Sequence, residues 1–373
     1  MLEFTRNRVT LEAQAAHKEV KSVARNGRTL KIGVVTVPGF YQDIAAQNAG
    51  DQNYRSTTRD VLKLINQLKA EKIDGLVLDL RNDGGGYLPE ATALTGLFID
   101  HGPVVQLRDT SGRLEVLDDP QTGAAYDGPL AVLVDRLSAS ASEIFAGAIQ
   151  DYHRGVILGQ TTFGKGTVQN LVSLDRWSSD KTDNGQLTVT IGKFYRVTGE
   201  STQHRGVQPD VPLASVLDTK EIGESALESA LPWDRIAGVP FKVSSTAAAP
   251  PVAALATEEG ERAQHDPDYK WLMSDIAAID SVREQHAVSL NLKTRREERT
   301  RMEHERLERE NERRAAKNLP PLKSVEELEK TKDEAADVVL EQATQVMADM
   351  VTGVHPQTPQ QKTALANDPP RPQ

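Results

Sequence analysis

The sequence predicts an α/β fold: a mixed sheet with a parallel β-α-β unit and flanking helices, followed by a mostly α-helical carboxyl-terminal domain. Three observations predict it. Short, apolar, β-branched runs recur at 30–37, 76–80, 130–134 and 156–158, the lengths and composition of buried strands. Between the first two, Val61, Leu64, Ile65 and Leu68 recur at helical spacing, so the two strands are joined by a helix and run parallel. Beyond about residue 266 strand signals cease and helical ones remain.

Each element has its own justification. Leu30–Val37 is followed by Pro38-Gly39, a turn. Ser56, Thr57 and Thr58 offer caps for the helix that follows, and Asp74-Gly75 reads as its close. Pro89 suits the first turn of a helix reaching Ile99. Strands at 103–108 and 113–117 form a hairpin around Ser111-Gly112, and 186–196 alternates like a half-exposed strand, after a polar excursion at 175–185. The run at 130–134 feeds a serine-rich turn and a helix over 141–151. Residues 236–265 lack periodicity and read as a linker. Helices are expected at 267–283, anchored by Tyr269, Trp271, Leu272 and Ile276, and at 334–351. The segment 294–316, where Glu and Arg mix, reads as a solvated helix laced by i,i+4 pairs rather than a nucleic-acid stripe.

Composition excludes several classes. The net charge of −10 argues against general affinity for nucleic acid. Cysteine is absent, which removes thiol catalysis and thiolate metal sites. The eight histidines show no pair at metal-ligand spacing. No run of about 18 apolar residues is present, so no transmembrane segment is expected. The amino end lacks the apolar core of a secretory signal, so the chain reads as cytoplasmic if it is a complete gene product.

Candidate chemistry concentrates between Asp135 and Gln169. Ser140-Ala141-Ser142-Glu143 fits the S-x-x-E capping box, so Ser140 reads first as a helix cap. A second reading is a nucleophile: Ala139 and Ala141 leave room around its hydroxyl, and a helix start carries partial positive charge that favours a developing oxyanion. Lys165 stands between Gly164 and Gly166, where glycines imply an unusual backbone path or close contact with another segment. A lysine walled off from water by apolar neighbours can accept a proton and activate a serine; a surface loop lysine is the plain alternative. The run from Gly159 to Lys165 also opens like a phosphate-binding loop, but Gly166 stands where that motif needs Ser or Thr. Gly84-Gly85-Gly86 after a strand is either a flexible turn or a backbone N–H presented to a carbonyl with no side chain in the way.

Four blocks in order, Leu78-Asp-Leu-Arg-Asn-Asp-Gly-Gly-Gly86, Ser138-Ala-Ser-Ala-Ser-Glu143, Phe163-Gly-Lys-Gly-Thr-Val-Gln169 and Gly206-Val-Gln-Pro-Asp210, resemble those of the tail-specific, carboxyl-terminal processing serine peptidases, in the long bacterial, periplasmic branch. The resemblance implies a Ser–Lys dyad with Ser140 as nucleophile and Lys165 as general base. It implies an oxyanion hole from the N–H groups of Gly86 and Ala141, a glutamine at Gln169 that supports the lysine, and an acidic residue at Asp151 tied to activity. It also implies a serine endopeptidase that cuts proteins near apolar carboxyl termini, without metal or organic cofactor, in the periplasm. The helical domain would offer a surface to an adaptor.

The resemblance sets domain expectations: remnant strands at 1–29 joining a missing PDZ domain, a peptidase core at 30–215, helix and linker at 216–265, a helical domain at 266–351 and a disordered tail at 352–373. No signal sequence, amino-terminal helical region or PDZ domain is visible, and loss of the last would remove most substrate capture. The rival reading is therefore a truncated, non-catalytic remnant that binds partners as a scaffold. Asp83 stands where asparagine is commoner in relatives. Two distances constrain the site. One helix between Ser140 and Asp151 would hold them roughly 16 Å apart. A fully extended chain would separate the backbones of Lys165 and Gln169 by about 13 Å, so Gln169 serves the amine only if the segment bends.

Overall fold

The computed structural model describes residues 14–177, 184–243, 251–330 and 337–353. The first part of the remnant strands expected at 1–29, part of the polar excursion at 175–185, and the tail beyond residue 353 lie outside the described residues. In chain order the elements are β1 (His17–Arg25), β2 (Arg28–Thr36), α1 (Ile44–Asn48), α2 (Thr57–Ala70), β3 (Gly75–Asp79), α3 (Leu88–Gly96), β4 (Gly102–Asp109), β5 (Leu114–Asp119), β6 (Leu130–Val134) and α4 (Ala141–Asp151). There follow β7 (Val156–Gly159), β8 (Thr167–Ser173), β9 (Gln186–Tyr195), β10 (Val211–Pro212), α5 (Val252–Ala263), α6 (Pro267–Arg283), α7 (Leu292–Ala316), α8 (Val325–Lys330) and α9 (Val338–Thr352).

Two sheets organise the chain. The first has the order β1-β2-β3-β6-β7-β10, parallel throughout except that β1 pairs antiparallel with β2. The second, β5-β4-β9-β8, is antiparallel. The continuous apolar runs are explained by burial on both faces. Along β6, Val132 and Val134 pack with α2, α3 and α4, while Ala131 and Leu133 pack with α5 and α9 on the other side. Ser56 caps α2, and Val61, Ile65 and Leu68 form its buried stripe. Helix α4 is buried over nearly its whole length, which is why Ala141–Ile149 shows little amphipathic pattern.

Two elements depart from the sequence reading. The segment read as linker carries α5, whose Leu255 is fully buried against the sheet. Its sequence repeats alanine and glutamate with few large apolar residues, so tertiary packing rather than periodicity fixes the helix. Gly75 does not close α2, which ends at Ala70; it opens β3. A Cβ at Gly75 would meet Met347 Sδ at 2.5 Å, so the glycine admits α9 to the sheet face. Helix α9 is thus a layer of the sheet's core, with Ala343, Met347 and Ala348 fully buried.

Candidate active site

Three adjacent parallel strands, β3, β6 and β7, deliver their following loops to one edge of the sheet. The crevice beyond the carboxyl ends of parallel strands is where such sheets place their sites. The loop after β3 carries Gly84–Gly86, the turn after β6 carries Ser140, and the loop after β7 carries Lys165.

Ser140 is the N-cap of α4; its N–H donates to Glu143 Oε2, the return half of the capping box, while its hydroxyl makes no capping hydrogen bond. An ordinary N-cap is extended. Ser140 instead has φ 58 and ψ −109, a left-handed conformation that non-glycine residues hold only when their surroundings force it. Strain at a sharp strand-to-helix turn holds the hydroxyl clear of the helix it caps. Capping and chemistry therefore do not exclude one another here.

The glycine loop is stitched to that turn. Ala139 N–H and Ser142 Oγ both donate to Asp83 O, at 2.9 Å each. A Cβ on Gly85 would lie 2.7 Å from Ala139 O and 2.9 Å from Ser140 Cβ, and Gly85 has φ 96. Only glycine allows this approach. On the other side of the loop, Tyr87 N–H donates to Phe40 O and Phe40 N–H donates to Gly85 O. Among the described residues no acceptor takes the N–H of Gly86 or of Ala141. Asp83 is fully buried; its Oδ1 accepts from Gly85 N–H at 2.8 Å, while Oδ2 has no partner among the described residues. Burial pushes its carboxyl up to about 7.

The organising group is one that sequence reasoning treated only as a cap. Glu143 is fully buried, and four donors converge on its carboxylate. Oε2 accepts from Ser140 N–H at 2.8 Å and Lys165 N–H at 2.9 Å; Oε1 accepts from Thr162 Oγ1 at 2.6 Å and Gly164 N–H at 2.7 Å. Because one oxygen serves both amides, the backbones of Ser140 and Lys165 lie within about 6 Å of each other there. Burial raises the Glu143 carboxyl and the four donors oppose that rise, leaving it at about 7. The signal in the sequence is the S-x-x-E box; that the same glutamate also holds a loop some 20 residues downstream depends on tertiary placement.

Lys165 lies between the two alternatives of a walled-off and a surface lysine. The side chain is half-buried, and Nζ donates to Gln169 Oε1 at 3.3 Å. No hydrogen bond joins Nζ to Ser140 Oγ among the described residues. Gln169 reaches the amine because the β8–β9 register shifts between Val168 and Gln169, the bend that contact requires. Asp151 lies at the far end of α4 from Ser140 and does not touch it. Its carboxylate pairs with Arg196, at 2.6 and 3.0 Å, just past the end of β9. Burial raises the Asp151 carboxyl, and Arg196 offsets part of the rise. The pair ties the end of α4 to the segment that follows β9. No cluster of three or more His, Asp or Glu placed to hold a metal occurs among the described residues, and none of their helices is long and apolar enough to cross a membrane.

Comparison with known proteins adds to this geometry. Residues 31–213 match the profile of peptidase family S41, and residues 217–352 match that of the C-terminal domain of tail specific protease. The chain is 38% identical over 354 residues to the tail-specific protease of Haemophilus influenzae, covering 94% of this chain and 48% of the relative. It is 35% identical over 158 residues to the chloroplastic C-terminal processing peptidase of Tetradesmus obliquus, covering 42% of this chain and 32% of the relative. The chain thus spans half or less of the length of these relatives. Among solved structures, a photosystem II D1 C-terminal processing protease aligns with a TM-score of 0.45 and 30% identity, over 60% of this chain and 55% of its own.

Proposed function

The chain belongs to peptidase family S41, and from that premise we propose that it is a serine endopeptidase working through Ser140 and Lys165. The observation that carries the reading is the shared carboxylate: Glu143 ties the Ser140 turn and the Lys165 loop to one oxygen atom. In the reaction, the Lys165 amine swings on its flexible stem from Gln169 to the serine hydroxyl and takes its proton. Ser140 Oγ attacks the peptide carbonyl, and the N–H groups of Gly86 and Ala141 stabilise the oxyanion. The lysine passes the proton to the leaving amine, then deprotonates the water that releases the acyl group. Gln169 is the resting partner of the amine.

Substrates are proteins with apolar carboxyl termini, processed in the periplasm, as the long-branch resemblance implies. The helical carboxyl-terminal domain would offer a surface to an adaptor.

The test is digestion of an unstructured casein by the purified chain. Fragments are expected from the wild type, and none from Ser140→Ala or Lys165→Ala. Fragments that persist in either variant overturn the assignment. A chain that binds casein without cutting it would favour the scaffold reading.

A further inference from the structure

Arg136 lies four residues before Ser140 and is 3% exposed, yet it makes no ion pair among the described residues. All its acceptors are uncharged. It donates to Thr162 O, to Ile222 O at 2.5 Å, to Thr219 O at 3.2 Å and to Ser225 Oγ at 3.1 Å. Burial lowers its pKa, and the buried Glu143 carboxylate is the opposing charge. A buried guanidinium whose acceptors are all uncharged recovers its desolvation cost only in part.

What it joins is informative. Thr162 opens the Lys165 loop, and Glu143 takes its hydroxyl while Arg136 takes its carbonyl. Residues 219–225 open the region matched by the C-terminal domain profile. The same strap reaches the loop at three more points. Glu224 N–H donates to Phe163 O at 3.0 Å, and Gln160 Nε2 donates to Leu217 O at 2.7 Å. Gln203 bridges Gly166 N–H and Glu224 Oε1. Gly223, at φ 126, lies flat against the guanidinium, where a Cβ would overlap it. The strap thus lies directly on the outer side of the Lys165 loop.

We infer that Arg136 is a positioning residue that couples the start of the carboxyl-terminal region to the Lys165 loop, so that the amine reaches Ser140 only while the strap at 217–225 is seated. The inference rests on the Ser140–Lys165 reading for its consequence in catalysis, but not for the coupling itself.

Two variants approach the contact from opposite sides. Arg136→Lys keeps the charge and loses the planar fork. Gly223→Ala removes no polar group and pushes the strap off. In both, amide hydrogen exchange at Gly164 and Lys165 should quicken at least about tenfold, with β3 and β6 amides unchanged. The kcat for casein should fall about 100-fold, the order expected for a misplaced catalytic group, with KM within about twofold. The double variant should lose little more than either single one. Ser225→Ala, which removes one acceptor, supplies a milder version should the others fold poorly. Unchanged loop exchange in the folded variants overturns the coupling; quickened exchange with wild-type kcat overturns its catalytic role. If Ser140→Ala proves as active as wild type, the nucleophile assignment fails, while loop exchange still judges Arg136.

Discussion

The glycine loop and the first turn of α4, which meet at Ser140, each contain a buried carboxylate, and they use it differently. Glu143, in the first turn of α4, receives four hydrogen bonds and fixes Thr162, Gly164 and Lys165 at once. Asp83 in the glycine loop receives one, from Gly85 N–H, and leaves Oδ2 without a partner among the described residues. Both carboxyls are pushed up to about 7. The first carboxylate has a structural task that needs its charge; the second would be served as well by a neutral amide. Cost alone therefore does not mark a functional group: the number of donors it organises does.

Glu143→Gln should have the largest effect on activity. Its NH2 would face donors, and kcat should drop by about 100-fold at pH 8, with a stability loss of about 1–3 kcal/mol for unsatisfied groups. The loss should shrink toward acid pH, where the wild-type Glu143 is itself protonated; wild-type activity should accordingly fall as pH drops through about 7. A profile flat from about pH 6 to 8 would break the comparison. Gly85→Ala comes next. The left-handed φ and the crowding against Ser140 Cβ should cost about 1–3 kcal/mol, read by denaturation, together with kcat.

Arg196→Ala leaves Asp151 buried without its partner. It should cost about 3–5 kcal/mol in stability, with activity per folded molecule little changed. A selective loss of kcat at full stability would return Asp151 to the chemistry.

Asp83→Asn should have the smallest effect and the most telling sign. The folded carboxyl titrates near 7, above its ordinary 3.8, so the folded chain holds a proton that the unfolded chain has released. The resulting stability is present in full below the ordinary value and is lost as pH rises through about 7. The variant should therefore melt a few degrees above wild type at about pH 8 and close to it at about pH 5. A variant less stable at the higher pH would show that the Asp83 charge has a partner after all.

Much of this architecture is legible in the amino-acid order alone. The runs at 30–37, 76–80, 130–134 and 156–158 correspond to β2, β3, β6 and β7, because strands buried on both faces carry near-continuous apolar sequence. The helices at 141–151 and 267–283 fall as expected, each beginning at a capping signal. Helix α5 and strand β8 escape such a reading because their sequences carry no clear period; packing against β10 and α9, and pairing with β9, define them. Within the site, Ser140, Lys165 and the glycine run can be named from local motifs. Arg136, Thr162 and Gln203 cannot, since their roles arise from contacts far away in sequence. The bend that brings Gln169 to Lys165 is a register shift, which no local residue type announces.

The central claim is that Lys165 activates Ser140, and acylation measures it most directly. The chain would be mixed with an activated acyl ester and followed by intact mass and peptide mapping over a single turnover. The account predicts one acyl adduct, on Ser140, forming in the wild type and at least about 100-fold more slowly in Lys165→Ala. An adduct on another residue, or equal rates in the two proteins, would contradict it.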